Sequence, residues 1–281
     1  MFIDMKKILT ITAVMVLFAA CRPQQDHLII LHTNDTHSQV EPFGTDADEP
    51  FTGRGGYVRR VQLLDEIRAA AGDTAMLLLD AGDFCQGTPY FNLYHGRVEL
   101  QAMNAMGYDA ATLGNHEFDN GVDTLAAVLR TAQFPIVCAN YDVTGTPLEG
   151  LVKPYVVVER GGLKIGIFGM GVNPYQLIDT KNFKGVSYLD PVETARRMID
   201  QLKGELHCDL VVMLSHLGYE NTITNAGDEV VLANTHGIDA VVGGHTHKLV
   251  TTHVTDLNGD TIPVGQMRKS GIFLGRIDLH L

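Results

Sequence analysis

The chain contains no tryptophan, only four cysteines, and 7% aromatic residues. It is also poor in positive charge, with 21 Lys and Arg against 33 Asp and Glu. The resulting formal net charge of -12 argues against a nucleic-acid binder, which needs a basic surface to meet phosphates. It does not exclude a small phosphorylated substrate, because a bound cation can be the largest local charge in a site. Beyond Cys21, the cysteines Cys85, Cys138 and Cys208 are odd in number and cannot form a complete intrachain disulfide set. They read as buried small hydrophobes. No Pro-rich, Gly/Ser-rich or single-charge run marks a linker after the N-terminus. Hydrophobic residues make up 45% of the 281 residues and charged residues 19%, enough for an ordinary core and one folded domain.

The N-terminus reads as an export signal. Lys6 and Lys7 precede the apolar run Ile8 to Ala20, and small residues lead to Cys21. Leu17-Phe18-Ala19-Ala20-Cys21 resembles a bacterial lipobox. That resemblance implies cleavage, lipidation of Cys21 and tethering to a membrane at the periplasm or cell surface. The expected boundaries are signal 1–21, polar tether 22–27 and folded domain 28–281.

Within the domain, short apolar runs alternate with helical periodicity. Leu28–Leu31, Met76–Leu79, Ile136–Cys138, Leu210–Leu214 and Ile238–Val242 read as buried strands. Val58, Val61, Leu64 and Ile67 recur at helical spacing, as do Leu100, Met103 and Met106 before Gly107. Further helices are expected at Val122–Leu129, Pro191–Leu202 and Val230–Asn234. Tyr155–Val158 and Lys164–Phe168 flank a Gly161-Gly162 turn. The C-terminal end reads as strands at Val250–Thr255, Thr261–Val264 and Phe273–Leu279. The pattern is α/β, with sheets sandwiched between helices.

Polar clusters follow these apolar strands, where ligands gather in α/β folds. They are Asn34-Asp35-Thr36-His37, Gly82-Asp83, Gly114-Asn115-His116-Glu117-Phe118-Asp119, Ser215-His216 and Gly243-Gly244-His245-Thr246-His247. Taken singly, each has a plain explanation as a turn, a helix cap or a packed histidine. Together and in this order they resemble the calcineurin-like metallophosphoesterase superfamily, and specifically the 5'-nucleotidase catalytic domain. The superfamily pattern is D-x-H, G-D, G-N-H-[ED], H, G-H-x-H. The T-N-D-T-H and G-N-H-E-F-D variants seen here are typical of 5'-nucleotidases and their relatives. The resemblance runs from Leu28 to Leu281.

This resemblance implies a four-layer αββα sandwich of the metallo-dependent phosphatase fold. It also implies a site for two divalent metal ions, with Asp35, His37 and His247 on one, Asn115, His216 and His245 on the other, and Asp83 bridging. Some family members carry Gln in place of His247. Mixed imidazole and carboxylate ligation fits Zn, Mn or Fe, with Mg also open. The implied reaction is in-line displacement at phosphorus by water activated on the metals. His116 then contacts the phosphate and helps stabilise or protonate the leaving oxygen, and Asp119 orients it. For Asp119, an N-cap role before Val122 stays open. His32 reads as structural, Glu117 as loop packing or a partner of the ligands, and Asn140 as a residue that either lines the cleft or does not. Gly53-Arg54-Gly55-Gly56 precedes a helix and suits an anion, although the resemblance makes it a structural turn.

The expected substrate is a nucleotide monophosphate. Cyclic nucleotides, nucleotide sugars and thiosulfate esters are alternatives within the same chemistry, and a non-catalytic metal-binding lipoprotein is the alternative in another class. Complete 5'-nucleotidases of this type carry a second domain that stacks the base and supplies arginines to the phosphate. The expectation is therefore a promiscuous phosphoesterase whose nucleotide site is completed by a separate chain carrying that domain.

Overall fold

A computed structural model describes residues 26–45, 51–221 and 226–281. The signal segment, Cys21 and all but the end of the tether lie outside the described residues. Among the described residues, no helix is long and apolar enough to cross a membrane.

The first half runs β1 (His27–Thr33), α1 (Tyr57–Ala71), β2 (Ala75–Asp80), α2 (Pro89–Tyr94), α3 (Arg97–Met106), β3 (Ala110–Ala111), α4 (Gly121–Leu129), β4 (Ile136–Val137), β5 (Tyr141–Asp142) and β6 (Val152–Lys153). The second runs β7 (Tyr155–Arg160), β8 (Leu163–Met170), β9 (Ser187–Tyr188), α5 (Pro191–Ile199), β10 (Leu210–Ser215), α6 (Asp228–Ala233), β11 (Ala240–Gly243), β12 (Leu249–Thr255), β13 (Thr261–Met267) and β14 (Gly275–His280). Two six-stranded sheets result, ordered β14-β1-β2-β3-β4-β6 and β12-β13-β11-β10-β8-β7. Their central strands are parallel, and antiparallel partners stand at the edges: β14 on β1, β7 on β8 and β12 on β13.

The uninterrupted apolar runs are explained by this layering. Alternate side chains of a strand point to opposite faces, and here both faces are covered. Leu28, Ile30, Leu77 and Leu79 meet Ile165, Ile167, Val212 and Leu214 between the sheets. Ile29, Leu31 and Leu78 instead face Leu64, Leu100, Met103 and Leu125 on the outer helices. Val211, Met213 and Val241 face Ala195, Met198 and Leu232 on the other side. This is the expected four-layer sandwich. Each fully buried leucine stabilises it by about 1.5–3 kcal/mol relative to exposure.

Two local readings are corrected. Helix α1 buries Tyr57, Arg60 and Leu64, whereas Val58 is 71% exposed and Val61 37%. Leu64 and Ile67 of the expected row do pack inward, but in the first turn the buried positions are Tyr57 and Arg60, each one residue before a valine. The expected helix Pro191–Leu202 changes character at Asp200, where a π turn runs to Glu205 and still buries Leu202. Helix α3 ends as expected, with Gly107 in the left-handed region at φ 72°.

Candidate metal centre

The expected ligands lie on loops leaving the carboxyl ends of parallel strands in both sheets: Asp35 and His37 after β1, Asp83 after β2, Asn115 after β3, His216 after β10, and His245 and His247 after β11. Five of these seven, Asp35, His37, Asp83, His245 and His247, hold positive φ angles of 47°, 46°, 53°, 75° and 57°. Such conformations cost about 1–3 kcal/mol each and persist only where the surroundings enforce them.

Those surroundings are identifiable. Glu117 is buried, and its carboxylate accepts the N–H groups of Asp83 (2.9 Å), Gly114 (2.6 Å) and Cys85 (3.0 Å). One side chain thus ties the Gly-Asp loop to the Gly-Asn-His-Glu turn. Burial, followed by the charge of Asp83, pushes its carboxyl up to about 8, and the backbone amides pull the other way. Next to it, Phe118 is locked between Tyr141 and Phe183, at ring centroid distances of 5.8 and 4.7 Å. Asn34 holds Asp35 through a 2.6 Å hydrogen bond and bonds to the backbone of Met267 and Arg268. A Cβ at Gly114 would fall 2.2 Å from Asp83 Oδ1 and 2.6 Å from His216 Nε2. Glycine there is a condition of the loops converging.

The side chains meet in two overlapping groups, Asp35 with His37 and His247, and Asp35 with Asp83 and His216, the ligand atoms of each group lying within 4.8 Å of one another. His37 Nε2 faces His247 Nε2 at 2.9 Å, and Asp35 Oδ1 lies 3.4 Å from the latter. His216 Nδ1 bonds the Ala81 carbonyl at 2.7 Å, which turns Nε2 toward Asp83 Oδ2 at 3.1 Å. His245 stands against His216, ring centroids 5.2 Å apart, and its backbone N–H donates to Asp35. The two histidines of the last motif therefore diverge to different neighbours. Asp35 is common to both groups, and Asp83 belongs to the second.

The donor set fits divalent cations. Asn115 Oδ1 and His216 Nε2 are buried yet make no aligned hydrogen bond, a costly arrangement unless another partner meets them. Carboxylate, imidazole and amide donors converge from both sheets, as a two-metal site requires. Burial opposes the charge on Asp83, but His216, His116 and His37 hold its carboxyl well below the usual range.

His116 stands at the rim. Its backbone N–H donates to Asp83 Oδ1 at 2.8 Å, its ring lies 5.4 Å from that of His37, and Nδ1 meets Asp119 Oδ2 at 2.9 Å. Burial lowers its pKa, but the Asp119 hydrogen bond and the Asp83 charge prevail and raise it. Asp119 is not the cap of α4, since Asn120 occupies that position. Asn140 is fully buried, and its amide exchanges two 2.7 Å bonds with Gly171; it stitches the two sheets and does not line the cleft. His32 is buried between Gly265 and Gly275, a structural position as expected. Cys85, Cys138 and Cys208 are buried and free. Glu117 is both things the sequence left open, packing for the loops and a partner of the ligand Asp83; its count of three amides had no signal in the sequence.

Residues 28–249 match the Calcineurin-like phosphoesterase family. A 5'-nucleotidase of Bos taurus is 34% identical over 286 residues, covering 94% of this chain and 48% of that protein. A 5'-nucleotidase precursor from Thermus thermophilus superposes with a TM-score of 0.79 at 35% identity, covering 90% of this chain and 51% of the other. The calcineurin-like phosphoesterase YfkN of Bacillus subtilis superposes with a TM-score of 0.75 at 32% identity, covering 91% and 85%. The chain thus spans about half the length of the two 5'-nucleotidases. The converging histidines and carboxylates, the four-layer fold and these matches place the chain in the calcineurin-like phosphoesterase family of hydrolases.

Proposed function

We propose that this protein removes phosphate from nucleoside monophosphates at a site for two divalent metals, with Zn, Mn or Fe as the metals the donors favour. The observation that carries the reading is the partly exposed His116–Asp119 pair set beside two overlapping ligand groups in which Asp35, His37, Asp83 and His216 are buried and His247 faces outward. A metal-binding module has no use for such a pair.

Asp35, His37 and His247 would hold one ion and Asn115, His216 and His245 the other, with the Asp83 carboxylate available to both. When bound, the metals lower the pKa of a coordinated water and draw charge from the phosphate oxygens. Asp119 accepts from His116 Nδ1 and fixes the ring. Nε2 is then the nitrogen left to carry a proton to the leaving oxygen. The Asp119 hydrogen bond and the Asp83 charge raise the pKa of His116, which favours the protonated ring. Nucleotides as substrates are supported by the relatives' names. The two 5'-nucleotidases are about twice the matched length, so base recognition is assigned to protein outside the matched half, on the same polypeptide or a separate one. Leu17–Cys21 supports export and tethering through a lipidated Cys21.

Steady-state kinetics on 5'-AMP, an aryl phosphate, a cyclic nucleotide and a thiosulfate ester tests the substrate assignment. Release of phosphate from 5'-AMP and the aryl phosphate is expected. Faster turnover of the cyclic nucleotide or the thiosulfate ester would overturn it.

A further inference from the structure

The turn Gly53–Gly56 and the start of α1 take no part in the metal centre, yet they hold an unusual concentration of positive charge. Arg54, Arg59 and Arg60 line a surface depression of about 210 Å³ together with Gly271 and Phe273. Among the described residues no carboxylate lines it, although the chain carries a net charge of -12.

Arg59 and Arg60 sit in the first turn of the 15-residue α1, which has no acidic residue there and no side-chain cap. Cations at this end oppose the helix dipole by about 0.3–1 kcal/mol each; the Tyr57 and Arg60 amides already donate to the Val40 and Gly56 carbonyls, which leaves those of Val58 and Arg59 to attract an anion. Arg60 adds an independent observation. It is 6% exposed, and its Nη2 is buried with no hydrogen-bond partner among the described residues. That atom lies against the depression's own wall: a Cβ on Gly271 would come 1.8 Å from it. The Tyr57 ring stands 5.3 Å from Arg60 Cζ, Tyr108 shares a side-chain hydrogen bond with Arg60, and the Asp80 charge faces it from deeper in the fold. The Asp80 oxygens are already bonded to Thr33 and Gly82. On its Nη2 side this buried guanidinium therefore keeps donor capacity that no described group uses.

We propose that this depression binds free inorganic phosphate, held by Arg54, Arg59 and the Val58 and Arg59 amides of α1, with Arg60 supplying charge beneath. Such an anion would rest on the segment that supports the metal centre. Gly55 packs against Ser270, whose carbonyl a Cβ at Gly55 would approach to 3.1 Å, and the Ser270 N–H donates to the Asp35 carbonyl at 2.7 Å.

Equilibrium dialysis of the metal-loaded chain against radiolabelled phosphate tests this. The wild type is expected to show two classes of phosphate site. The double variant R54Q/R59Q alters two exposed side chains, and its folding is checked by thermal melting. It should lose one class, with affinity reduced at least about tenfold, while ester turnover stays at the wild-type level. An Asp83→Ala variant should retain the arginine-dependent class even if the chain proves to hydrolyse nothing, which separates this proposal from the functional reading. Wild-type phosphate binding in R54Q/R59Q, or loss of all binding in Asp83→Ala, would overturn it.

Discussion

Replacing Glu117 by Gln changes one atom and should disturb the whole centre. The carboxylate accepts three backbone N–H groups, two at Oε2 and one at Oε1. A glutamine oxygen can keep the Asp83 and Gly114 amides, but its NH2 then faces the Cys85 N–H, donor against donor. A lost hydrogen bond to a charged group costs about 1.5–3 kcal/mol. The two survivors become neutral bonds of roughly half the strength, adding about 1–2 kcal/mol. The sum, about 2.5–5 kcal/mol, is a large fraction of the 5–15 kcal/mol typical of a folded domain. At a pH above 8, where the wild-type carboxyl is ionised, urea denaturation of metal-free E117Q should therefore show a much lower midpoint. Because the Asp83 loop is what loosens, metal affinity should also fall by about 10- to 100-fold, as for other groups that orient ligands. An unchanged midpoint together with wild-type metal affinity would refute the argument that Glu117 holds these loops.

Three further outcomes are expected. Gly275→Ala places a Cβ 2.1 Å from His32 Nε2 and 2.3 Å from Cε1; thermal melting should show a loss of about 1–3 kcal/mol, relieved by adding His32→Ala. Burial pushes His32 from 6.5 down to about 4. Its folded pKa lies below the unfolded one, so its contribution is present above pH 6.5 and lost as pH falls toward 4. His32→Leu should flatten the stability profile across that window, and identical profiles would contradict this. His116→Asn should keep both metals by elemental analysis, with turnover reduced about 100- to 10,000-fold; loss of a metal would make His116 a ligand.

The sequence exposed most of the strands because their burial on two faces leaves runs such as Leu77-Leu78-Leu79 wholly apolar. The metal loops were legible for a different reason. Glycines are needed where Asp83 and His216 crowd Gly114, so the motif records the geometry directly. What stayed hidden depended on tertiary choice. Helix α1 could present either Val58 and Val61 or Tyr57 and Arg60, and only packing decides. Asn140 has the same local sequence whether it lines a cleft or bonds Gly171 across two sheets. The short strands β5 and β9 pair far apart in sequence and carry two residues each, too few for a period to show.

The central claim is that the converging ligands form the hydrolytic centre, and Asp83 tests it most directly. Metal content by elemental mass spectrometry should be measured together with phosphate release from 5'-AMP, for the wild type and Asp83→Ala side by side. The account predicts about two transition-metal ions per wild-type chain. In Asp83→Ala both metal occupancy and turnover should collapse. An Asp83→Ala protein that releases phosphate at the wild-type rate would contradict it.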